Sequence, residues 1–212
     1  MKIVCISDTH CHHKKIKVPA CDLIIHAGDF TYHGMLDETS KFLKWYGEQM
    51  QCRNKILVCG NHEKIIGKDI PLLKDLCENN GITLLHDSSV TIDGFKIHGS
   101  PYSVEFGAWA FGLPDMELQS IWDEIPLDTN ILVTHGGAYG VLDMTMHGEQ
   151  VGSHTLRNHL RKLPDLKLHI VGHLHESRGT HLEDGLLTIN ASICGIPYSD
   201  IVINPITVDI QK

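Results

Sequence analysis

The chain has 212 residues, 42% of them hydrophobic, enough for one compact domain with a substantial core. Its formal net charge of −8 argues against an electrostatic grip on long nucleic acid, yet leaves a phosphorylated substrate open because bound cations invert the local field. No apolar run of about 18 residues is present to span a membrane, MKIVCISDTH carries no signal-peptide pattern, and the odd set of seven cysteines has no CxxC pair, so reduced thiols in a cytoplasmic protein are expected.

Lys2–Ser7 predicts a first strand, short, β-branched and ended by polar residues. Asp22–Gly28 repeats that design, and Asp37–Gln51 follows with Phe42, Leu43, Trp45 and Tyr46 at helical spacing. Asn54–Gly60 predicts a third strand, and Pro71–Asn80 a helix that opens on proline and stops before Gly81. Val90–Ile92 and Phe95–His98 flank Asp93-Gly94, a pair suited to a type I′ hairpin turn. A helix over Asp115–Glu124 stops before Pro126, and a strand over Asn130–Gly136 follows. A helix over Ser153–Leu163 takes Ser153 as its N-cap and ends before Pro164. Lys167–Gly172 is the last of the continuous apolar runs. Glu183-Asp184-Gly185 then separates His181–Leu182 from Leu186–Asn190, and Asp200–Ile210 predicts a final strand broken by Pro205. Continuous rather than alternating runs suit strands covered on both faces. With no repeat or linker in the chain, a single α/β domain over residues 1–212 with mixed sheets is expected.

Candidate ligands stand just beyond these runs. Asp8-Thr9-His10 follows the first, Gly28-Asp29 the second and Gly60-Asn61-His62-Glu63 the third. Thr134-His135-Gly136 and Gly172-His173-Leu174-His175 come later. Ligands gather at the carboxyl ends of strands in open α/β sheets, so donors from five strands should converge on one spot. A mixed oxygen and imidazole set without thiolate suits divalent manganese, iron, zinc or nickel. The neighbouring glycines let the backbone turn sharply beside an ion.

These blocks, in this order, resemble the calcineurin-like metallophosphoesterase superfamily over nearly the whole chain. Within it the chain is most similar to the metallophosphoesterase-domain-containing proteins of animals, through CISDTH at Cys5–His10, HAGDFT at His26–Thr31, AWAFGLP around Trp109 and INASIC at Ile189–Cys194. The resemblance implies a four-layer αββα sandwich with a binuclear centre. Asp8, His10, Asp29 and His175 would bind one cation, and Asp29 would bridge to a second held by Asn61, His135 and His173. His62 matches a catalytic histidine that is not a ligand. The chain departs from many relatives in lacking an arginine after Gly28-Asp29 and in reading Thr134-His135-Gly136-Gly137 without a proline.

The implied chemistry is phosphoester hydrolysis with two divalent metal ions, manganese first and iron, zinc, nickel or magnesium as alternatives. A hydroxide between the ions would attack phosphorus, and His62 would protonate the departing alkoxide. A phosphodiesterase of small nucleotides, including cyclic ones, is the leading expectation. Phosphomonoesterase or protein phosphatase action, or a catalytically weak metal- or nucleotide-binding regulator, are the alternatives. Among the other histidines, His12, His13 and His33 are expected near substrate, and His26 supports the site from its strand. His98, His147, His154, His159, His169 and His181 are expected at the surface or in ordinary hydrogen bonds. Tyr102, Phe106, Trp109 and Phe111 would wall a base-stacking pocket or pack as core.

Overall fold

The computed structural model describes residues 1–195, 199–202 and 204–211. In chain order its elements are β1 (Lys2–Ile6), β2 (Cys21–Ala27), α1 (Leu36–Gly47), β3 (Cys52–Val58), α2 (Ile70–Glu78), β4 (Thr83–Leu84), β5 (Ser88–Ile92), β6 (Phe95–Ser100), β7 (Ser103–Val104) and β8 (Gly112–Leu113). There follow α3 (Asp115–Trp122), β9 (Ile131–Thr134), α4 (His154–Leu160), β10 (Leu168–Val171), β11 (Gly179–Glu183), β12 (Leu186–Asn190), β13 (Cys194–Gly195), β14 (Ser199–Val202) and β15 (Ile206–Asp209). One sheet runs in the order β15-β1-β2-β3-β4, parallel except for antiparallel β15. The other runs β11-β12-β10-β9-β6-β5, with four parallel strands between antiparallel edges.

Successive side chains of a strand face opposite ways, so each apolar run feeds two cores. Ile3 and Cys5 of β1 point between the sheets, where they join Leu23, Ile25, Ile131 and Ile170. Val4 and Ile6 point outward and lie beneath Phe42, Leu43 and Tyr46 of α1 and Leu73 of α2. On the far face, Leu132 of β9 is covered by Leu118 and Trp122 of α3 and by Leu156 and Leu160 of α4. Each of these leucines and isoleucines contributes roughly 1.5–3 kcal/mol by leaving water. The result is the αββα sandwich, and it explains why the strands read as unbroken apolar runs.

Local signals fall where the sequence puts them, with shifted ends. Ser153 caps α4 by accepting from the Leu156 amide, and Asp69 does the same for α2 through Leu72. Both hairpin turns, Asp93-Gly94 and Asp184-Gly185, have positive φ at both residues, as a type I′ turn requires. Helix α1 ends at Gly47 rather than Gln51, where it packs closely on the turn after α2: a Cβ at Gly47 would lie 2.6 Å from the Asn80 carbonyl oxygen. The expected strand over Asp200–Ile210 is two strands in different sheets, β14 against β13 and β15 against β1, with Pro205 between them and residue 203 outside the described residues. All seven cysteines are free, five of them buried. Among the described residues no helix is long and apolar enough to cross a membrane.

Candidate metal centre

Asp8 follows β1, Asp29 follows β2, Asn61 and His62 follow β3, His135 follows β9 and His173 follows β10. The structure brings these residues together with His10 and His175, so that all eight singled-out positions share one spot at the strand ends. The backbone bends sharply to do so. Asp8 (φ 53°), His10 (36°), Asp29 (58°) and His173 (68°) all adopt the left-handed region, a strain of order 1–3 kcal/mol each that surrounding structure must hold. Two glycines make the approach possible: a Cβ at Gly60 would lie 2.4 Å from Asp29 Oδ1, and one at Gly172 would lie 2.3 Å from Asp8 Oδ2.

The donor atoms face one another in a way that a protein seldom tolerates without a cation. His10 Nε2 and His175 Nε2 are 3.2 Å apart, with Asp8 Oδ1 3.3 Å from the latter. His10 directs Nδ1 to the Thr31 carbonyl at 3.3 Å and His135 directs Nδ1 to the Ala27 carbonyl at 2.8 Å, so both present Nε2 to the centre. His135 Nε2 and His173 Nδ1 both meet Asn61 Oδ1, at 2.9 and 2.8 Å, and His135 Nε2 is 3.3 Å from Asp29 Oδ2. With His135 Nδ1 donating, its Nε2 lone pair faces the oxygens of Asn61 and Asp29, and only a proton or a cation satisfies that arrangement. Among the described residues three overlapping groups result, Asp8-His10-His175, His10-Asp29-His62 and Asp29-His135-His173, each with potential ligand atoms within 4.8 Å of one another. The residues therefore fit a pair of divalent cations.

Electrostatics follow the same division. Burial would raise the Asp8 carboxyl, but the hydrogen bond and charge of His175, with His135 and His10, outweigh it and hold it well below the usual range. Asp29 is lowered too, its desolvation overcome chiefly by His135. Burial pushes His10 and His173 down to about 4, so both are neutral at pH 7, as a metal ligand must be. His135 goes up to about 9 in spite of burial, because Asp29 stands against it.

His62 stands within reach of His10 and Asp29 but is held from its other ring nitrogen and its backbone. Its amide donates to Asp29 Oδ1 at 2.8 Å, its Nδ1 faces the Tyr32 carbonyl at 2.8 Å, and its Nε2 is 3.9 Å from Asp29 Oδ2. Nδ1 must carry the proton toward a carbonyl, which leaves Nε2 turned to the centre. The profile of the calcineurin-like phosphoesterases matches residues 1–177. The chain belongs to the calcineurin-like phosphoesterase family. It is 36% identical to human metallophosphoesterase domain-containing protein 1 across 99% of this chain and 71% of that protein. In fold it is similar to phosphopantetheinyl hydrolase from Mycobacterium tuberculosis, at 18% identity and a TM-score of 0.63 over 97% of this chain and 95% of the other. An archaeal phosphodiesterase superposes with a TM-score of 0.51 at 23% identity, over 93% and 87% of the two chains. As a calcineurin-like phosphoesterase the chain is a metal-dependent phosphoesterase with a cluster able to hold its metals.

Several supporting residues of this family member lie in stretches the sequence singles out, and their contacts give those stretches a role. Glu63 is buried and accepts from the amides of Asp29 (2.9 Å), Gly60 (2.7 Å) and Thr31 (3.0 Å) and from the Thr31 hydroxyl (2.8 Å), tying two ligand loops together. Burial and the charge on Asp29 push its carboxyl up, but the four N–H and O–H donors around it leave no acceptor for a carboxyl proton and suit the carboxylate. Ser192 donates to Asp8 Oδ2 at 2.8 Å and is itself fixed by Asn190, which gives the INASIC stretch a physical role. His26 accepts from the Gly28 amide at 3.3 Å and so donates through Nε2 to Thr9 Oγ1 at 3.0 Å, bracing two ligand loops as expected. Trp109 stacks on His62 with ring centroids 4.3 Å apart.

The remaining expectations divide. His12 meets the Tyr32 hydroxyl at 2.9 Å, and His33 lies parallel to Trp109 at 6.4 Å. His13 is corrected: it is buried between Phe42 and Trp45, because the chain turns into a short 3₁₀ segment that drives the ring toward α1 rather than toward substrate. His98 bonds Ser89 and His169 bonds Thr134, ordinary roles for buried histidines. His147 and His154, by contrast, line a cavity of about 720 Å³ that opens beside Asp29, Asn61 and His62. The aromatic segment splits, with Phe106 in that cavity, Trp109 on His62 and Phe111 edge-on to Tyr102.

Proposed function

We propose that the protein is a phosphodiesterase of small nucleotides, cyclic ones included, working with two divalent cations, manganese foremost. Asp8, His10, Asp29 and His175 would hold one ion, and Asn61, His135 and His173 the other, with Asp29 shared. When bound, such a pair supplies Lewis acidity, acidifying water and neutralising charge on the phosphoryl oxygens. The chain's own residues do the rest. Thr31 and Ala27 carbonyls fix the ligand tautomers of His10 and His135. The Tyr32 carbonyl holds the His62 Nδ1 proton, so that Nε2 can serve the departing alkoxide from the cavity wall.

The observation that carries this reading is the meeting of His135 Nε2 and His173 Nδ1 on one Asn61 oxygen, beside a cavity that His62 also lines. A monoanionic diester is favoured over a dianionic monoester because no lysine or arginine lines that cavity among the described residues. The net charge of −8 and the free cysteines support a cytoplasmic enzyme of small substrates rather than a partner of long nucleic acid or membranes. The test is a manganese titration against bis(p-nitrophenyl) phosphate, p-nitrophenyl phosphate and the 2′,3′- and 3′,5′-cyclic nucleotides. Diester and cyclic-nucleotide turnover that rises with bound metal is expected. Turnover of the monoester alone would make it a phosphomonoesterase, and no turnover with any divalent ion would make it a binding protein.

A further inference from the structure

The cavity beside His62 has a chemistry of its own, which the metal cluster does not dictate. Its wall includes Phe106, Met146 and Val151, with Leu174 next to His173 in the chain. Three of these are unusually exposed for large apolar side chains: Phe106 by 63%, Met146 by 68% and Val151 by 39%. Such residues facing a common space mark a binding surface rather than a random surface apolar group. The charged residues around them are Glu105, Glu149 and Glu176, together with Asp115, whose carboxylate is occupied by Ser153 and Thr155. Beside His62 and the candidate ligands His173 and His175, only His147 and His154 among the described lining residues are able to carry positive charge.

The wall is also built in advance. Asp143 accepts from the Gly140 and Gly152 amides at 2.9 and 3.1 Å, pinching the base of the 143–152 loop. Thr145 donates its amide to the Glu149 carbonyl at 2.8 Å, closing the tip. Glu176 receives the Met146 amide at 2.9 Å and Ser177 donates to the Met144 carbonyl at 2.6 Å, which docks the loop on the segment that carries His175. A preformed space of about 720 Å³ lies within the range of small-molecule sites, and far exceeds what a phosphate group alone would fill.

We propose that this cavity binds an uncharged, largely apolar substituent of the phosphate ester, of aromatic-ring size or larger, and turns away esters whose substituent carries a second negative charge. The inference rests on the phosphoesterase reading above, since it takes the phosphate to lie at the metal cluster that opens into the same space. It adds what that reading leaves open, namely which half of the ester the protein itself selects and by what forces. Apolar area leaving water between Phe106, Met146 and Val151 supplies the attraction. Three carboxylates, with no lysine or arginine among the described lining residues, supply the rejection.

Calorimetric binding of methylphosphonate, phenylphosphonate, 1-naphthylphosphonate and 4-carboxyphenylphosphonate to the manganese-loaded protein tests this directly. Phenylphosphonate should bind about tenfold or more tighter than methylphosphonate, and naphthylphosphonate at least as tightly as phenyl. The added carboxylate should remove most of that gain. In Phe106→Ala and in the double variant Met146→Ala/Val151→Ala, all at exposed positions outside the core clusters, the phenyl-over-methyl ratio should fall by several-fold. Equal affinities, no phenylphosphonate binding at millimolar concentration, or carboxyphenyl binding as tight as phenyl would overturn the proposal. Turnover of bis(p-nitrophenyl) phosphate by the same preparation separates the two readings. Turnover without an aromatic preference sinks the pocket alone, whereas an aromatic preference without turnover sinks the activity and leaves the pocket.

Discussion

Replacing Glu63 with glutamine changes one atom and should loosen the whole centre. In the native protein one carboxylate oxygen accepts from the amides of Asp29 and Gly60, at 2.9 and 2.7 Å, and the other accepts from the amide and hydroxyl of Thr31, at 3.0 and 2.8 Å. A glutamine side chain has only one acceptor oxygen and must set an NH2 group where the other stood. If the NH2 faces Asp29 and Gly60, two buried amides lose their acceptor. If it faces Thr31, the hydroxyl can reorient to accept, but the Thr31 amide then points at a donor. The cheaper arrangement thus leaves one buried N–H unsatisfied, at about 1–3 kcal/mol. For a chain of this size that corresponds to a fall in Tm of roughly 2–12 °C. Because Asp29 and Gly60 begin the loops that carry Asp29 itself and Asn61, weaker metal binding should accompany the lower Tm. Differential scanning calorimetry without metal and manganese calorimetry on the folded variant read the two effects separately. A Tm within a degree of the parent, together with unchanged metal affinity, would refute the claim that Glu63 organises these loops.

Three other outcomes follow from the same geometry. His62→Ala should retain both bound metals, measured by elemental analysis of the purified protein, while kcat for a diester falls by roughly 10²–10⁴-fold; loss of metal instead would move His62 into the ligand set. Trp109→Ala removes the ring stacked on His62 and should lower kcat by about tenfold with little change in KM, and Trp109→Phe should restore most of it. The third concerns pH. Burial pushes His169 down to about 3, and its Nε2 donates to Thr134 Oγ1, which itself donates to the Gly136 carbonyl. A folded value below the ordinary value of about 6.5 means that neutral His169 stabilises fully above pH 6.5 and that this is lost as pH falls from there toward 3. His169→Gln keeps the donor without the titration, so the stability lost between pH 7 and 5 should shrink by up to about 2 kcal/mol in urea unfolding.

What the sequence made legible was fixed by where the chemistry sits. A parallel strand covered on both faces must be apolar along its length and must stop where its backbone leaves the sheet, so a metal ligand placed at that end stands out in type and position. Asp8, Asp29, Asn61, His135 and His173 are each the first or nearly the first polar donor after such a run. The residues that hold those ligands have no comparable signature. Ser192 reaches Asp8 from 184 positions away, and nothing in its neighbours says so. Glu63 reads as a solvated residue of a turn until the four donors around it are seen in space. His13 shows the converse error, since adjacency to a ligand block says nothing about direction, and one short 3₁₀ turn sends its ring into the core. The cavity wall was hidden for a third reason: the 143–152 loop has no periodicity, and its shape is set by Asp143 gripping two amides rather than by any repeating pattern. Strand ends therefore encode which donor atoms converge at the centre, while a loop braced by a single buried carboxylate shapes the cavity beside it. Of these two layers, the second is where members of one family with the same ligands can diverge in substrate.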